Sequence, residues 1–303
     1  MSEYRWSRRD FFRRAAVAGA VAVGGPVLLS ACTATNSGGS GASGTLATAR
    51  QNGTIKVGIA GEAPYGFTDN TGKVTGESVE VGRAVMKALG INDLQATQVS
   101  FDSLIPGLNA NQFDMVTAGM FINPSRCASA AFSEPDYTAP TAFLVPTGNP
   151  KGVATFDDVK NKNLRLAVLS GAVEQGYAQK AGVPDSQIQV FDTQNTLLQA
   201  VATGRADAAA LTNISLNDVV KKNPGSAVEV TGGFFPTVDG KPTVSAGAFV
   251  FRKADTDFVD AFNTELRKLH DNGQWLTIAQ PFGFTKDNIP GPDVTTASLC
   301  AAA

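Results

Sequence analysis

The segment Ile55-Lys56-Val57-Gly58-Ile59 decides the fold, because it is a short apolar β run that opens an alternating pattern. Apolar residues then recur at helical spacing from Val79 to Leu89, and another β run begins at Gln98. A second helical pattern leads into the β run at residues 114–118. Strands that alternate with helices favour a parallel sheet covered by helices, so the sequence predicts an α/β fold.

The same plan occurs a second time along the chain. Leu164-Arg165-Leu166-Ala167-Val168 matches the first β run in pattern. Thr196-Leu197-Leu198 and Asp207 match Ser103-Leu104-Ile105 and Asp114 at a constant offset of 93 residues. We therefore expect two similar α/β lobes, with parallel or mixed sheets; one doubly wound domain is the alternative.

Two apolar extended runs, at residues 142–145 and 244–251, are predicted to be hinge strands that cross between the lobes. Lobe 1 then comprises residues 50–143 and 246–303, and lobe 2 comprises residues 144–245. A cleft between two such lobes lies at the carboxyl ends of the strands, where α/β sheets bind ligands.

The first 32 residues are predicted to be an export signal. Two adjacent arginines, Arg8 and Arg9, precede an uncharged stretch at residues 15–29, which points to the twin-arginine route. Leu29-Ser30-Ala31-Cys32 resembles the cleavage box of bacterial lipoproteins, which implies a lipid on Cys32. Residues 33–49 are mostly small and polar and predict a flexible tether. A cleaved secretory signal, with Cys32 present by chance, is the alternative.

Charge and residue counts exclude several functions. Loss of residues 1–31, which hold five arginines and two acids, changes the net charge from −2 to −5, and no basic run suggests nucleic acid. The single histidine, His270, lies in a helical pattern that predicts a solvated side chain, so neither a metal site nor a catalytic triad is expected. Cys127 and Cys300 either pair in an oxidising compartment or remain separate thiols.

Charged and aromatic residues follow the strands of lobe 1, at the edge that faces the cleft. They are Glu62, Tyr65, Phe101, Phe121 and Arg126. A guanidinium can hold a carboxylate with two parallel hydrogen bonds, and ring faces attract a small cation. The set predicts a site for a compact zwitterion. Taken singly, each phenylalanine is more typical of a core than of a binding site, and the arginine is more typical of a surface ion pair.

Lobe 2 contributes less charge to the predicted cleft. Gly171 and Val173 lie where a strand joins a helix, so backbone N–H groups there can meet an anion. Thr212 ends the strand that follows Asp207 and is also expected to face the cleft.

One segment resembles a known family. Gly119-Met120-Phe121-Ile122-Asn123-Pro124-Ser125-Arg126, followed by Phe132-Ser133-Glu134-Pro135-Asp136-Tyr137, is similar to the polar amino-acid-binding proteins of ABC transporters. The resemblance implies a two-lobed periplasmic-binding-protein fold of type II, with Arg126 gripping a ligand carboxylate. It also implies a monomer without a cofactor, outside the cytoplasmic membrane, that serves a permease and its ATPase.

Three departures from that family argue against an ordinary amino acid. Phe121 stands where Thr or Ser is common, Val173 replaces a hydroxyl residue, and Thr212 stands where an Asp usually holds the ammonium group. With the segments at residues 61–67, 101–108 and 143–150, they resemble the ectoine/hydroxyectoine-binding branch, which imports compatible solutes.

Three hypotheses follow for the function. The first is capture of ectoine or hydroxyectoine for an ABC importer, and the second is a polar or cationic amino acid as the ligand. The third is a dehydratase on the same fold, against which Glu62 is the only acid that the sequence places in the cleft. We expect a binding protein and not an enzyme.

Overall fold

The computed structural model describes residues 44–238 and 241–301. The predicted export signal, the lipid anchor at Cys32 and residues 33–43 of the predicted tether lie outside the described residues. The helices are α1 (Thr45–Asn52), α2 (Glu77–Ala88), α3 (Leu104–Asn109), α4 (Pro124–Cys127), α5 (Phe156–Asn161), α6 (Val173–Lys180), α7 (Gln194–Ala202), α8 (Asn213–Lys222), α9 (Thr256–Asp271), α10 (Gln274–Ala279) and α11 (Thr296–Ala301).

The strands are β1 (Thr54–Ile59), β2 (Phe67–Thr68), β3 (Val74–Thr75), β4 (Asp93–Gln98), β5 (Met115–Phe121), β6 (Ala131–Phe132), β7 (Tyr137–Thr138), β8 (Thr141–Pro146), β9 (Leu166–Leu169), β10 (Ile188–Phe191), β11 (Ala208–Thr212), β12 (Val228–Val230), β13 (Thr237–Val238), β14 (Lys241–Pro242) and β15 (Ala246–Phe251). Short 3₁₀ turns begin at Phe101, Asp185, Gln280 and Lys286. Among the described helices, none is both long and apolar enough to span a bilayer.

Two separate mixed sheets define two lobes. The sheet of lobe 1 has the order β4-β1-β5-β15-β6, with β7 also paired to β15. The sheet of lobe 2 has the order β10-β9-β11-β8-β12. In lobe 1, β1 lies between β4 and β5 and is parallel to both, and in lobe 2, β9 lies between β10 and β11 and is parallel to both. The next strand of each sheet, β15 in lobe 1 and β8 in lobe 2, is antiparallel to its neighbour. The prediction of two α/β lobes is confirmed, and the single doubly wound sheet is wrong.

The internal repeat extends to single hydrogen bonds. The Asp114 carboxylate accepts from the backbone N–H of Lys56 at 3.2 Å, at the start of β5 and beside β1. The Asp207 carboxylate accepts from the backbone N–H of Arg165 at 2.8 Å, at the matching place in lobe 2. Each aspartate therefore fixes the register between the first and last parallel strands of its unit.

The chain crosses between the lobes at two adjacent segments. The backbone N–H of Ala139 donates to the carbonyl of Ser245 at 3.1 Å, so the outgoing and returning segments lie side by side. Thr141 already pairs with Thr212 in the sheet of lobe 2, whereas the predicted boundary placed residues up to 143 in lobe 1. The crossing therefore comes earlier than predicted, since the run at 142–145 lies wholly within β8.

Helix α1 begins at Thr45, inside the segment that the sequence analysis assigned to the tether. Leu46 and Ala49 are buried, and the Thr45 hydroxyl donates to the Asp255 carboxylate at 2.7 Å. Residues 45–49 are thus packed against lobe 1, because the two apolar side chains on one face of the helix find a partner surface.

Helix α9 buries an aromatic face against the sheet of lobe 1. Phe258, Phe262 and Leu266 recur at four-residue spacing and are buried. Phe262 packs on Phe249 with ring centroids 4.6 Å apart, and Phe258 packs on Phe251 at 4.9 Å. This packing holds β15, the returning strand, in the sheet that supports the site.

Candidate functional site

A cavity lies between the carboxyl ends of the strands of both lobes. Most of the residues that the sequence predicted for the site line it: Glu62, Tyr65, Phe101, Phe121, Arg126, Val173 and Thr212. Gly171 is not part of the lining, but its carbonyl accepts a hydrogen bond from the Arg126 guanidinium at 2.7 Å. The structure therefore brings the predicted set together around one space.

The loop after β1 presents Glu62 and Tyr65 to the cavity. Within the loop, the N–H of Tyr65 donates to the Glu62 carbonyl at 3.0 Å. The first backbone N–H groups of α2 donate hydrogen bonds to this loop. The N–H of Glu77 donates to the Pro64 carbonyl at 2.8 Å, and the N–H of Ser78 donates to the Tyr65 carbonyl at 3.0 Å. The loop thus satisfies N–H groups of α2 that have no partner within the helix, which fixes the loop in position.

The Tyr65 ring is held by close packing in lobe 1. It stacks on Tyr137 with centroids 5.4 Å apart, and the Tyr137 hydroxyl donates to the Gly119 carbonyl at 2.8 Å. Gly119 has a φ of +60°, and a Cβ there would lie 2.5 Å from a Tyr65 ring atom. Glycine is therefore required for the backbone to pass beneath the ring.

Arg126 projects from the short helix α4, whose first residues are capped by the Asn123 side chain. Its guanidinium donates to the carbonyls of Phe121 and Gly171 and lies 5.3 Å from the centroid of the Phe101 ring. Burial lowers the pKa of Arg126 to about 10, so the group remains charged at neutral pH. A partly buried cation whose present hydrogen-bond partners are neutral carbonyls is a strong binding group for a carboxylate.

Glu174 is a second acid in the cavity and was not among the predicted site residues. It lies in the first turn of α6, is buried, and accepts a weak hydrogen bond from the Thr141 hydroxyl at 3.4 Å. The prediction that Glu62 is the only acid in the cleft is therefore wrong. An acid at the start of a helix that follows a cleft strand was the available signal.

Both carboxyl groups ionise less readily than free carboxyl groups, chiefly because they are buried. Burial raises the pKa of Glu62 to about 7, the nearby Glu174 raises it further, and a hydrogen bond from Ser215 opposes both. Burial likewise raises the pKa of Glu174 to about 7, against the attraction of Arg126. With both acids ionised, the charged groups of the cavity sum to one negative charge, and with one protonated they sum to zero.

The cavity is small because the lobes are closed. Its volume is about 30 Å³, and a water requires about 10–15 Å³. A solute larger than water therefore requires the lobes to part and Arg126 to release the Gly171 carbonyl. The two lobes can close over a small molecule. The Arg126 guanidinium can then bind a ligand anion in place of its present backbone carbonyl partners. No cluster of three potential metal-ligating side chains occurs within residues 44–238 and 241–301.

Two other side chains singled out in the sequence have structural surroundings. Cys127 and Cys300 form a disulfide, which links α11 to the helix that carries Arg126. His270 is not solvated as predicted: its ring stacks on Trp275 at 5.0 Å, and burial lowers its pKa to about 4. Trp275 follows His270 after a tight turn, which folds the two rings together.

Comparison with known proteins agrees with this geometry. The family model for bacterial extracellular solute-binding proteins, family 3, matches residues 55–286. The chain is 37% identical over 261 residues to a probable amino-acid ABC transporter periplasmic-binding protein, y4tE, of Sinorhizobium fredii (strain NBRC 101917 / NGR234). That match covers 85% of this chain and 86% of the relative.

Two solved structures are similar across most of the chain. One is EhuB in complex with hydroxyectoine, with a TM-score of 0.77, 34% identity and coverage of 85% of this chain and 98% of that chain. The other is an ancestral amino acid-binding protein, AncCDT-1, described as a precursor of cyclohexadienyl dehydratase. It has a TM-score of 0.69, 27% identity and coverage of 78% and 99%. With its two α/β lobes and the cavity between them, the chain belongs to family 3 of the bacterial extracellular solute-binding proteins.

Proposed function

We propose that this protein captures ectoine or hydroxyectoine between its lobes and delivers it to an ABC importer. The observation that carries the proposal is the placement of Arg126 over the Phe101 ring, with Glu62 lining the same cavity. A cyclic amidinium carboxylate has an anion for the guanidinium and a delocalised cation for the rings and the acid. The similar structure with bound hydroxyectoine supports the same ligand class.

Capture would proceed in two stages. Arg126, Tyr65, Phe101 and Phe121 belong to lobe 1 and would hold the solute first. Lobe 2 would then close over it, and Gly171, Val173 and Thr212 would complete the enclosure. The closed monomer would dock on a permease driven by a separate ATPase, and a lipid on Cys32 would hold it at the outer face of the cytoplasmic membrane.

Calorimetric titration of the purified protein with ectoine and hydroxyectoine tests the proposal. We expect saturable binding of at least one of them in the micromolar range or tighter. Absence of heat at millimolar ligand, from protein that melts cooperatively, would reject this ligand class.

A cationic amino acid is the second candidate, and Glu174 is the observation that favours it. With both acids ionised, the cavity has one net negative charge, which complements a ligand with one net positive charge. The relative from Sinorhizobium fredii is also described as an amino-acid transporter component. Titration with L-arginine beside hydroxyectoine distinguishes the two, and Glu174→Gln should weaken only the binding of the cationic ligand.

Catalysis is a less favoured alternative on this fold. Two carboxyl groups with pKa values near 7 are suited to general acid–base chemistry, and one similar structure is described as a dehydratase precursor. We propose binding without turnover, because the cavity side chains of lobe 1 match a zwitterion as a whole. Conversion of prephenate by the purified protein would favour the dehydratase.

A further inference from the structure

A chain of buried hydrogen bonds reaches Glu62 from lobe 2. The Ser215 hydroxyl, in the first turn of α8, donates to the Glu62 carboxylate at 2.7 Å. The side-chain amide of Gln194, the first residue of α7, donates to that hydroxyl at 2.7 Å and to the Ala63 carbonyl at 2.8 Å. All of these groups are buried, so water does not substitute for the contacts.

The direction of these hydrogen bonds is fixed by their partners. The Gln194 amide nitrogen also lies 2.7 Å from the Ser215 carbonyl, so it faces two carbonyl oxygens that can only accept. The nitrogen, rather than the amide oxygen, must therefore point at Ser215. Its two protons serve these two carbonyls, so the Ser215 hydroxyl receives no more than a shared hydrogen bond from Gln194 and gives its own proton to Glu62. This series of hydrogen bonds therefore presents a donor to Glu62 and favours its ionised carboxylate.

Closure and charge at Glu62 are linked by this arrangement. When the lobes part, Ser215 and Gln194 leave with lobe 2, and water solvates Glu62. When they close, the carboxylate loses that water and needs replacement partners to stay charged. Lobe 2 supplies one hydrogen bond, and a cationic ligand group supplies the remaining attraction.

We propose that Ser215 and Gln194 are positioning residues that keep Glu62 oriented and ionised in the closed form, so that a cation at Glu62 stabilises lobe closure. The inference rests on the proposed function, since it takes Glu62 as the group that meets the ligand cation. It explains how the position of lobe 2 can depend on the charge of Glu62, which belongs to lobe 1.

Several charged or titratable groups face Glu62, and the test must separate them from Ser215. Glu174 on α6 disfavours its ionisation, Arg126 on α4 lines the same cavity, and Tyr65 and Tyr137 pack beside it. Among the causes that set the pKa of Glu62, the Ser215 hydrogen bond is the one that lowers it. Removing the hydroxyl therefore raises that pKa and leaves the other groups in place.

Ser215→Ala is the main test, with hydroxyectoine and L-arginine as probes. We expect affinity for the bound probe to fall about tenfold or more, because a buried hydrogen bond to a charged group is lost. The acid limb of the affinity–pH profile should also move to higher pH, which a merely structural change would not produce. Gln194→Glu should weaken binding too, because it turns an acceptor toward two carbonyls. Ser186→Ala, at an exposed site in lobe 2, is the matched control and should change neither quantity.

A ligand-free measurement keeps the outcomes separate. If the wild-type protein binds neither probe, the proposed function fails, but the hydrogen bonds can still be tested by thermal unfolding. The structure describes the closed form, and there Ser215→Ala raises the pKa of Glu62. The melting temperature of this variant should therefore fall more between pH 5 and pH 8 than that of the wild type. An unchanged affinity–pH profile in a protein that binds, or an unchanged pH dependence of melting in one that does not, would overturn the inference.

Discussion

Tyr65 and Thr212 join the two lobes through hydroxyl groups that lie 2.7 Å apart and are buried beside the cavity. Tyr65 follows the first strand of lobe 1, and Thr212 ends β11, the strand of lobe 2 that pairs with β8. The aromatic surface on which a ligand would rest is thus fastened directly to the lobe that must move.

Tyr65→Phe should weaken ligand binding by about two- to tenfold, since it removes one buried hydrogen bond and keeps the ring face. Thr212→Val should have a similar effect from the other lobe. In the double variant, the two losses should not add, because they remove the same contact. Calorimetric titration of the three variants measures this, and fully additive losses would show that the two hydroxyls act independently.

Arg126→Lys should reduce affinity by about 2–5 kcal/mol, although it keeps the positive charge. An ammonium group cannot reproduce the two parallel hydrogen bonds of a guanidinium or its stacking on Phe101. Arg205→Lys is the matched control, because Arg205 also lies over a ring, that of Phe191, at 5.5 Å on lobe 2. Equal affinity of the wild type and Arg126→Lys would place the ligand anion elsewhere.

Phe121→Leu should weaken binding of a cationic or amidinium ligand by about 2 kcal/mol, or roughly 30-fold, because a desolvated π face is lost. Leucine retains most of the apolar bulk, so the melting temperature should change little by comparison. Phe191→Leu tests the loss of a ring outside the cavity. A drop in stability without a change in affinity would mean that Phe121 serves the core and not the ligand.

The ligand-free protein should become less stable as the pH rises from about 5 to about 8. Burial raises the pKa values of Glu62 and Glu174 to about 7, and burial also raises those of Glu77 and Asp136. The folded state then holds protons that the unfolded chain has released, so stability is greatest below the unfolded pKa and falls as the pH passes the folded one.

His270 acts in the opposite sense in the same measurement. Its pKa of about 4 in the folded protein lies below the ordinary value of 6.5, so it adds stability as the pH rises toward 6.5. This single histidine opposes the four acids named above. Thermal unfolding at several pH values gives the net slope, and Glu174→Gln should flatten it. A melting temperature that rises steadily from pH 5 to pH 8 would contradict the assignment.

Reduction of the Cys127–Cys300 disulfide should lower the stability of the protein by about 2–4 kcal/mol. It should also weaken ligand binding, because α4 carries Arg126 and loses its link to α11. The Cys127→Ser, Cys300→Ser double variant should match the reduced protein and be insensitive to reductant. Unchanged affinity after complete reduction, checked by thiol titration, would show that α4 holds Arg126 without help from α11.

The sequence was sufficient for the lobe 1 half of the site and insufficient for the contacts between lobes. Phe121 and Arg126 could be predicted because the carboxyl ends of parallel strands meet at one edge of a sheet. Ser215 could not, because its role depends on how closely lobe 2 approaches lobe 1, whereas Glu174 had a signal in its place at the start of a helix after a cleft strand. The crossing at Ala139 was misplaced for a related reason: an apolar run looks the same whichever sheet it joins.

The bond between Ala139 and Ser245 constrains how this molecule can deform. Two connecting segments that are hydrogen-bonded to each other act as one hinge. They permit rotation of the lobes about one axis and resist twisting or sliding. The angle of that swing is then the main mechanical variable of the protein. A partner that binds the protein then needs to distinguish only the closed from the open conformation, since that one angle reports whether a solute is bound.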